Sequence, residues 1–240
     1  MSIATTESVP RDGNRLFAGV VRFFPVAGDA SGGEVPAMTI TIYCASSEMA
    51  PSAYGAAAFR LGELCAQEGV TVVFGGGGIG SMGRLADGVL AAGGRIRGVM
   101  PRFMRELEWA HPGVRDLDWT EDMASRKHAM LANADALVAL PGGCGTFEEL
   151  LEAVTLKRLG VFTRPIVIVN QEGFYDPLIA LFDRAIADRF MDARHRAMWT
   201  VVPTVDEVFA AIEQAPRWDA SARSFACVRQ APPGTAPAGG

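Results

Sequence analysis

From Ala136 to Leu140 the chain is apolar, and from Glu148 to Leu159 it is amphipathic and closed by Gly160; Pro141-Gly142-Gly143-Cys144-Gly145-Thr146-Phe147 joins the two. This order predicts a buried strand, a turn and a helix. Gly142, Gly143 and Gly145 lack a Cβ, so the backbone there is free to take unusual φ/ψ and to approach a ligand closely. The first N–H groups of the following helix point out of its end, and such an end suits an anion, a phosphate above all. Thr146 adds a hydroxyl, while Glu148 and Glu149 bring carboxylates to the first turn. Two readings fit Thr146-x-x-Glu149: a capping box, in which Thr146 caps the helix and Glu149 reaches back to it, or a ligand site. A capping box explains neither the three glycines nor two glutamates crowding a place suited to an anion. A ligand carrying a phosphate together with a group that needs a base or a cation stabiliser explains both.

Arg126 and Lys127, in the helical segment Asp122 to Asn133, are the second candidate group. Adjacent helix residues diverge by about 100°, so the two need not do the same work. An arbitrary Arg-Lys pair is a solvated basic surface. A glycine loop, Gly75 to Gly83, contains Gly78-Ile79-Gly80-Ser81-Met82-Gly83, the spacing of a dinucleotide fingerprint. The strand that follows ends Val99-Met100-Pro101 and has no carboxylate where a ribose would need one. The loop is therefore expected to pass close to the ligand held by Gly142 to Thr146. Cys44, Cys65, Cys144 and Cys227 show no Cys-x-x-Cys pairing, and His111, His128 and His195 show no ligand spacing with them. A metal-free site without a cofactor follows.

Positioning these groups takes a series of strands and helices in alternation. Thr39 to Cys44, Val70 to Phe74, Arg95 to Met100, Ala136 to Leu140 and Ile166 to Asn170 read as strands. Ser52 to Glu68, the stretch after the glycine loop to about Ala92, Asp122 to Asn133, Glu148 to Leu159 and two later segments read as helices. Such βαβ alternation predicts an α/β fold, Rossmann-like and doubly wound, with a mainly parallel sheet and helices on both faces. Ligands in such sheets bind beyond the carboxyl ends of the strands. The loops after Cys44, Phe74 and Leu140 all leave at that edge.

Several segments, in order along the chain, resemble the motifs of the LOG ("lonely guy") phosphoribohydrolases, a family often misnamed lysine decarboxylases. They are Tyr43-Cys44-Ala45-Ser46-Ser47, Gly75 to Gly83, Met123-Ala124-Ser125-Arg126-Lys127, Pro-Gly-Gly-x-Gly-Thr-x-x-Glu at residues 141–149, and Pro165 to Asn170 with Gly173-Phe174-Tyr175. The resemblance spans roughly Thr39 to Ala215. It implies hydrolysis of the N-glycosidic bond of a nucleoside 5′-monophosphate, a cytokinin riboside 5′-monophosphate or AMP-like, to free base and ribose 5-phosphate, by a homodimer with no cofactor. On this resemblance Arg126 and Glu149, 23 residues apart, are the catalytic pair. Glu108, Lys127, Gly142, Gly143, Cys144, Gly145, Thr146, Glu148 and Thr155 fall on positions the family uses for substrate. Thr155 lies about 9 Å along the helix axis from Glu149, and core packing is its other reading. The chain departs from the family at Ala124, where many members have His. Molybdenum-cofactor carriers share this fold and a similar turn without hydrolysis, so a non-catalytic nucleotide- or cofactor-binding carrier is the alternative. The presence of both Arg126 and Glu149 favours the enzyme.

Composition bounds the rest. The 240 residues are 49% hydrophobic and 20% charged, with a formal net charge of −5, which fits one α/β domain and lacks the basic excess of a general nucleic-acid binder. No apolar run approaches the roughly 20 residues of a membrane span, and Arg22 cuts short the apolar stretch Leu16 to Val21, so no secretory signal is read there. A cytoplasmic protein with a small-molecule substrate is expected. The expected organisation is a poorly ordered extension over 1–37, a catalytic domain over 38–219 and an Ala/Pro/Gly-rich disordered tail over 220–240, with Met38 as an alternative start.

Overall fold

A computed structural model describes residues 38–105 and 110–228. Among these residues seven strands form one sheet: β1 (Thr39–Tyr43), β2 (Thr71–Phe74), β3 (Arg95–Pro101), β4 (Asp116–Thr120), β5 (Ala136–Ala139), β6 (Ile166–Val169) and β7 (Thr200–Val202). Their order is β4-β3-β2-β1-β5-β6-β7, and each neighbouring pair is parallel. Every residue of β5 and β6 is buried, as strands covered on both faces require.

Among the described residues six α-helices cover the sheet: α1 (Ser52–Gln67), α2 (Gly80–Ala91), α3 (Met123–Leu131), α4 (Cys144–Arg158), α5 (Asp176–Ala187) and α6 (Val208–Glu213). Alternation along β1 divides its side chains between two cores. Ile40 and Ile42 pack with Leu61, Leu85 and Val208 of α1, α2 and α6, while Tyr43 joins Met130, Leu150 and Phe182 of α3, α4 and α5. The doubly wound expectation therefore holds. Since β1 pairs with β2 on one side and β5 on the other, the loops after β1 and β5 part at the reversal of strand order, where such sheets open a crevice.

Two strands escaped the sequence reading. β4, Asp-Leu-Asp-Trp-Thr, is a half-exposed edge strand whose polar residues hide its period, and β7 is three residues long. The expected tail also begins too early at 220. Ala220–Phe225 is a 3₁₀ helix with Ala222 buried, and Trp218 Nε1 and Arg223 Nε donate to the carbonyls of Lys157 and Leu159 at 2.7 and 3.2 Å. These bonds satisfy carbonyls at the end of α4 and hold the segment to the domain. Residues 1–37 and 229–240, and the candidate Glu108, lie outside the described residues.

Candidate active site

The helix of the glycine turn starts earlier than its sequence suggests. α4 begins at Cys144, with Gly143 as N-cap in an extended conformation (φ −91°, ψ −160°) and no side chain capping it. Thr146 therefore sits inside the first turn, and of the two readings of Thr146-x-x-Glu149 the capping box does not form. Glu149 instead accepts a 2.7 Å hydrogen bond from Arg126 Nη1 through Oε1. The three glycines also differ in their reason. None of them has a positive φ, whereas Gly76 and Gly80 of the other loop do, at +85° and +61°. A Cβ on Gly142 would lie 2.2 Å from Thr146 Oγ1, so this glycine lets the turn close on its own threonine; a Cβ on Gly143 or Gly145 would meet nothing within 4 Å. Those two face open space, leaving the helix end accessible to a ligand.

Tyr175 fixes the strand that delivers this turn. Its hydroxyl donates to the Leu140 carbonyl at 2.7 Å, and its own N–H donates to Asn170 Oδ1 at 2.7 Å. Burial pushes the Tyr175 phenol up from its ordinary range, so the hydroxyl remains a donor. The Gly173-Phe174-Tyr175 segment thus acts as a brace for the anion turn.

Arg126 comes from the first turns of α3, whose start is fixed by a reciprocal cap. Ser125 N donates to Asp122 Oδ1 at 2.8 Å and Asp122 N donates to Ser125 Oγ at 3.2 Å. The hydrogen bond from the Ser125 backbone holds the Asp122 carboxyl below its usual range. Arg126 then reaches inward with only 4% of its surface exposed, and Glu149 with 6%. Besides the bond to Glu149, its Nε donates to the Val99 carbonyl at 3.0 Å. Removing water from two charges costs several kcal/mol per ion, which a buried pair recovers only with good geometry. A pair kept here at the carboxyl edge of the sheet is better explained by chemistry than by stability.

Both side chains line a cavity of about 240 Å³ in the crevice between the loops after β1 and β5. Gly143, Cys144, Gly145 and Thr146 form one wall; Cys44 to Ser47 form another; Met82, Met104 and Met123 supply the apolar surface. The site thus combines a helix end for an anion, a carboxylate held by a guanidinium, and polarizable thioethers against which a flat base can lie.

Other sequence candidates lie elsewhere. Lys127 pairs with Glu148, and with Glu152 at 3.1 Å; the Glu148 hydrogen bond raises its pKa. It lines a separate cavity of about 300 Å³ between α3 and α4. Glu148 is half exposed, and Thr155 is exposed on the outer face of α4 rather than in the core. In the glycine loop, Met82 alone reaches the Arg126–Glu149 cavity; Gly78 to Ser81 and Gly83 line a neighbouring cavity of about 390 Å³ that shares Ser47. Sequence reasoning assigned no role to Ser46, Ser47 or Met104. The serines stand in a recognised segment, but Met104 sits on the 3₁₀ turn Arg102–Arg105, where no periodicity marks it.

A doubly wound parallel sheet with an open helix end, a buried Arg–Glu pair and a methionine-lined cavity at its switch point defines an α/β protein with a ligand crevice at the carboxyl edge of its sheet. Residues 82–212 match the family model described as "Possible lysine decarboxylase". A probable cytokinin riboside 5′-monophosphate phosphoribohydrolase of Oryza sativa subsp. japonica is 38% identical over 175 residues, 73% of this chain and 78% of that protein. The cytokinin riboside 5′-monophosphate phosphoribohydrolase LOG of the same species is 35% identical over 175 residues, covering 73% and 72%. The chain belongs to this family, the LOG phosphoribohydrolases. Among solved structures, the molybdenum cofactor binding protein of Rippkaea orientalis superposes with a TM-score of 0.58 at 19% identity, covering 75% of this chain and 98% of that one. That likeness concerns the fold.

Proposed function

We infer that the chain hydrolyses the N-glycosidic bond of a nucleoside 5′-monophosphate, with a cytokinin riboside 5′-monophosphate or AMP-like substrate, releasing free base and ribose 5-phosphate. The observation that carries this reading is the buried Arg126–Glu149 pair on the wall of a cavity whose other wall is the uncapped start of α4. The 5′-phosphate binds at Gly143, Gly145 and Thr146, which sets C1′ towards Glu149. As the C1′–N bond breaks, positive charge develops on the sugar and the Glu149 carboxylate stabilises it, as carboxylates do in glycoside hydrolysis. Water adds its oxygen to C1′ and gives a proton to Glu149; the bonding electrons leave with the base, which takes up one proton from solvent as Glu149 returns its own. Arg126 stays charged and is no base. It orients Glu149 and offers a donor to the departing ring or the ribose.

The decarboxylase description of the family model does not suit this chain. Its two lysines, Lys127 and Lys157, are respectively ion-paired with Glu148 and Glu152 and buried against the Arg164 carbonyl at 2.7 Å. Neither lines the cavity to form a Schiff base.

Assembly as a homodimer is supported by exposed apolar side chains on α4 and the loop after it, Leu151 at 41% and Val161 at 62%, of which Val161 lines the cavity between α3 and α4. Candidates Lys127, Glu148 and Thr155 share that helical layer. A reducing, cytoplasmic setting suits four free cysteines, and no helix among the described residues is long and apolar enough to cross a membrane. The test is incubation of the pure protein with a panel of nucleoside monophosphates. Stoichiometric free base and ribose 5-phosphate are expected. Tight binding of a nucleotide or molybdenum cofactor without turnover would establish the carrier reading instead.

A further inference from the structure

Gly75, the residue after β2, touches the catalytic machinery through the side chain it lacks. A Cβ built on it would lie 2.5 Å from Arg126 Nη2, 2.9 Å from Met82 Sδ and 3.3 Å from Met82 Cε. Gly75 is buried and has no positive φ, so its backbone conformation is open to alanine and only the occupied space excludes one. Ordinary contact needs about 3.5 Å, which leaves alanine about 1 Å short. Met82 can give way because its unbranched chain turns easily. Arg126 cannot do so freely, since Nε is tied to the Val99 carbonyl and Nη1 to Glu149. Backbone movement is resisted too, because Phe74 pairs with Gly98 in the neighbouring strand.

We propose that Gly75 is a positioning residue for the reaction: the missing side chain is the seat that lets the Arg126 guanidinium lie against the end of β2 and present Nη1 to Glu149. The inference rests on the catalytic reading of Arg126 and Glu149, and it gives the first residue of the glycine loop a role separate from phosphate binding. The guanidinium is thereby held on two sides by acceptors and on a third by the absence of a methyl group.

The test is a double-mutant cycle on the full chain, with kcat, KM and the melting temperature measured for Gly75→Ala, Arg126→Ala and the double variant. A misplacement of about 1 Å in a catalytic constellation costs on the order of 10²-fold in rate. Gly75→Ala should therefore lower kcat about 100-fold, with a smaller change in KM. In the Arg126→Ala background the same substitution should change kcat by less than about twofold, since the clashing group is gone. Multiplicative losses, or wild-type kcat in Gly75→Ala, would overturn the proposal while leaving the catalytic pair intact. Wild-type turnover in Arg126→Ala would sink the functional reading and this one with it. Should Gly75→Ala melt early, the double variant must melt as Arg126→Ala does, and equal further destabilisation in both backgrounds would likewise overturn it.

Discussion

Replacing Glu149 by Gln separates its charge from its shape. The amide oxygen can still accept from Arg126 Nη1, now 2.7 Å from Oε1, so the wall of the cavity keeps its form while losing the negative charge that the sugar cation needs. Loss of one positioned transition-state stabiliser costs about 10² to 10³ in kcat, or about 2.7 to 4 kcal/mol. Stability should fall by less than this. A buried charge stripped of its partner costs about 3 to 5 kcal/mol, but Arg126 keeps the Val99 carbonyl and gains a neutral acceptor, so less than about 3 kcal/mol is expected. At about 2 to 4 °C per kcal/mol for a chain of this size, the melting temperature should drop by no more than about 12 °C. Release of free base measured by chromatography, beside a thermal melt, gives both numbers. Wild-type turnover in a folded Glu149→Gln variant would refute the mechanism; a large loss of stability with activity preserved would reduce the pair to a structural one.

Nucleosides should have kcat/KM at least about 10²-fold below their 5′-monophosphates, because the phosphate seat at α4 would go unused; equal values for adenosine and AMP would remove the seat. Gly143→Ala should raise KM for the monophosphate at unchanged melting temperature, whereas Gly142→Ala, 2.2 Å from Thr146 Oγ1, should destabilise the fold; equal stability of the two variants would refute the distinction. Tyr175→Phe should cost about 1 kcal/mol by leaving the Leu140 carbonyl without its donor, with a rise in KM as the anion turn loosens; unchanged KM would dissociate the brace from the site.

Burial lowers the Lys157 amine to about 8, below its unfolded value near 10.4, so between these limits the unfolded chain binds more protons and this residue's contribution to stability rises with pH. Each pKa unit is worth about 1.4 kcal/mol, and the stability difference between wild type and Lys157→Met should therefore climb by up to about 3 kcal/mol from pH 8 to 10.5. Cys65, pushed up to about 12 by burial, works in the opposite sense above pH 9, which is why the difference between the two proteins, followed by chemical denaturation, is the useful quantity. A flat difference across that window would show that the amine is solvated when folded.

The same contrast between local and distant information explains how much of this molecule can be read from its residues. Strands β1, β2, β3, β5 and β6 and the helices between them announce themselves because each carries a short apolar run or a periodic apolar face within its own few residues. β4 and β7 do not, since an edge position relaxes the demand for apolar residues and three residues cannot show a period. The anion turn was legible because glycine near a helix start has few other uses, yet the reasons for its glycines were not. Gly142 is required by Thr146, four residues on, while Gly143 and Gly145 are required by space left for a ligand. The pairing of Arg126 with Glu149 joins two helices across the sheet edge, and no local pattern encodes it; the family resemblance supplied it. Local geometry also could not place Lys127 and Glu148 outside the cavity. Next to Arg126 and Glu149 in sequence, each is turned by about 100° on its helix, enough to send one neighbour into the site and the other to the face between α3 and α4. Variants Lys127→Ala and Glu148→Ala therefore discriminate between a role within one chain and a role across an interface: if the helical layer is where two copies meet, both should weaken dimerisation in light scattering together with turnover, whereas loss of turnover in a dimer of undiminished stability would return these side chains to direct substrate contact.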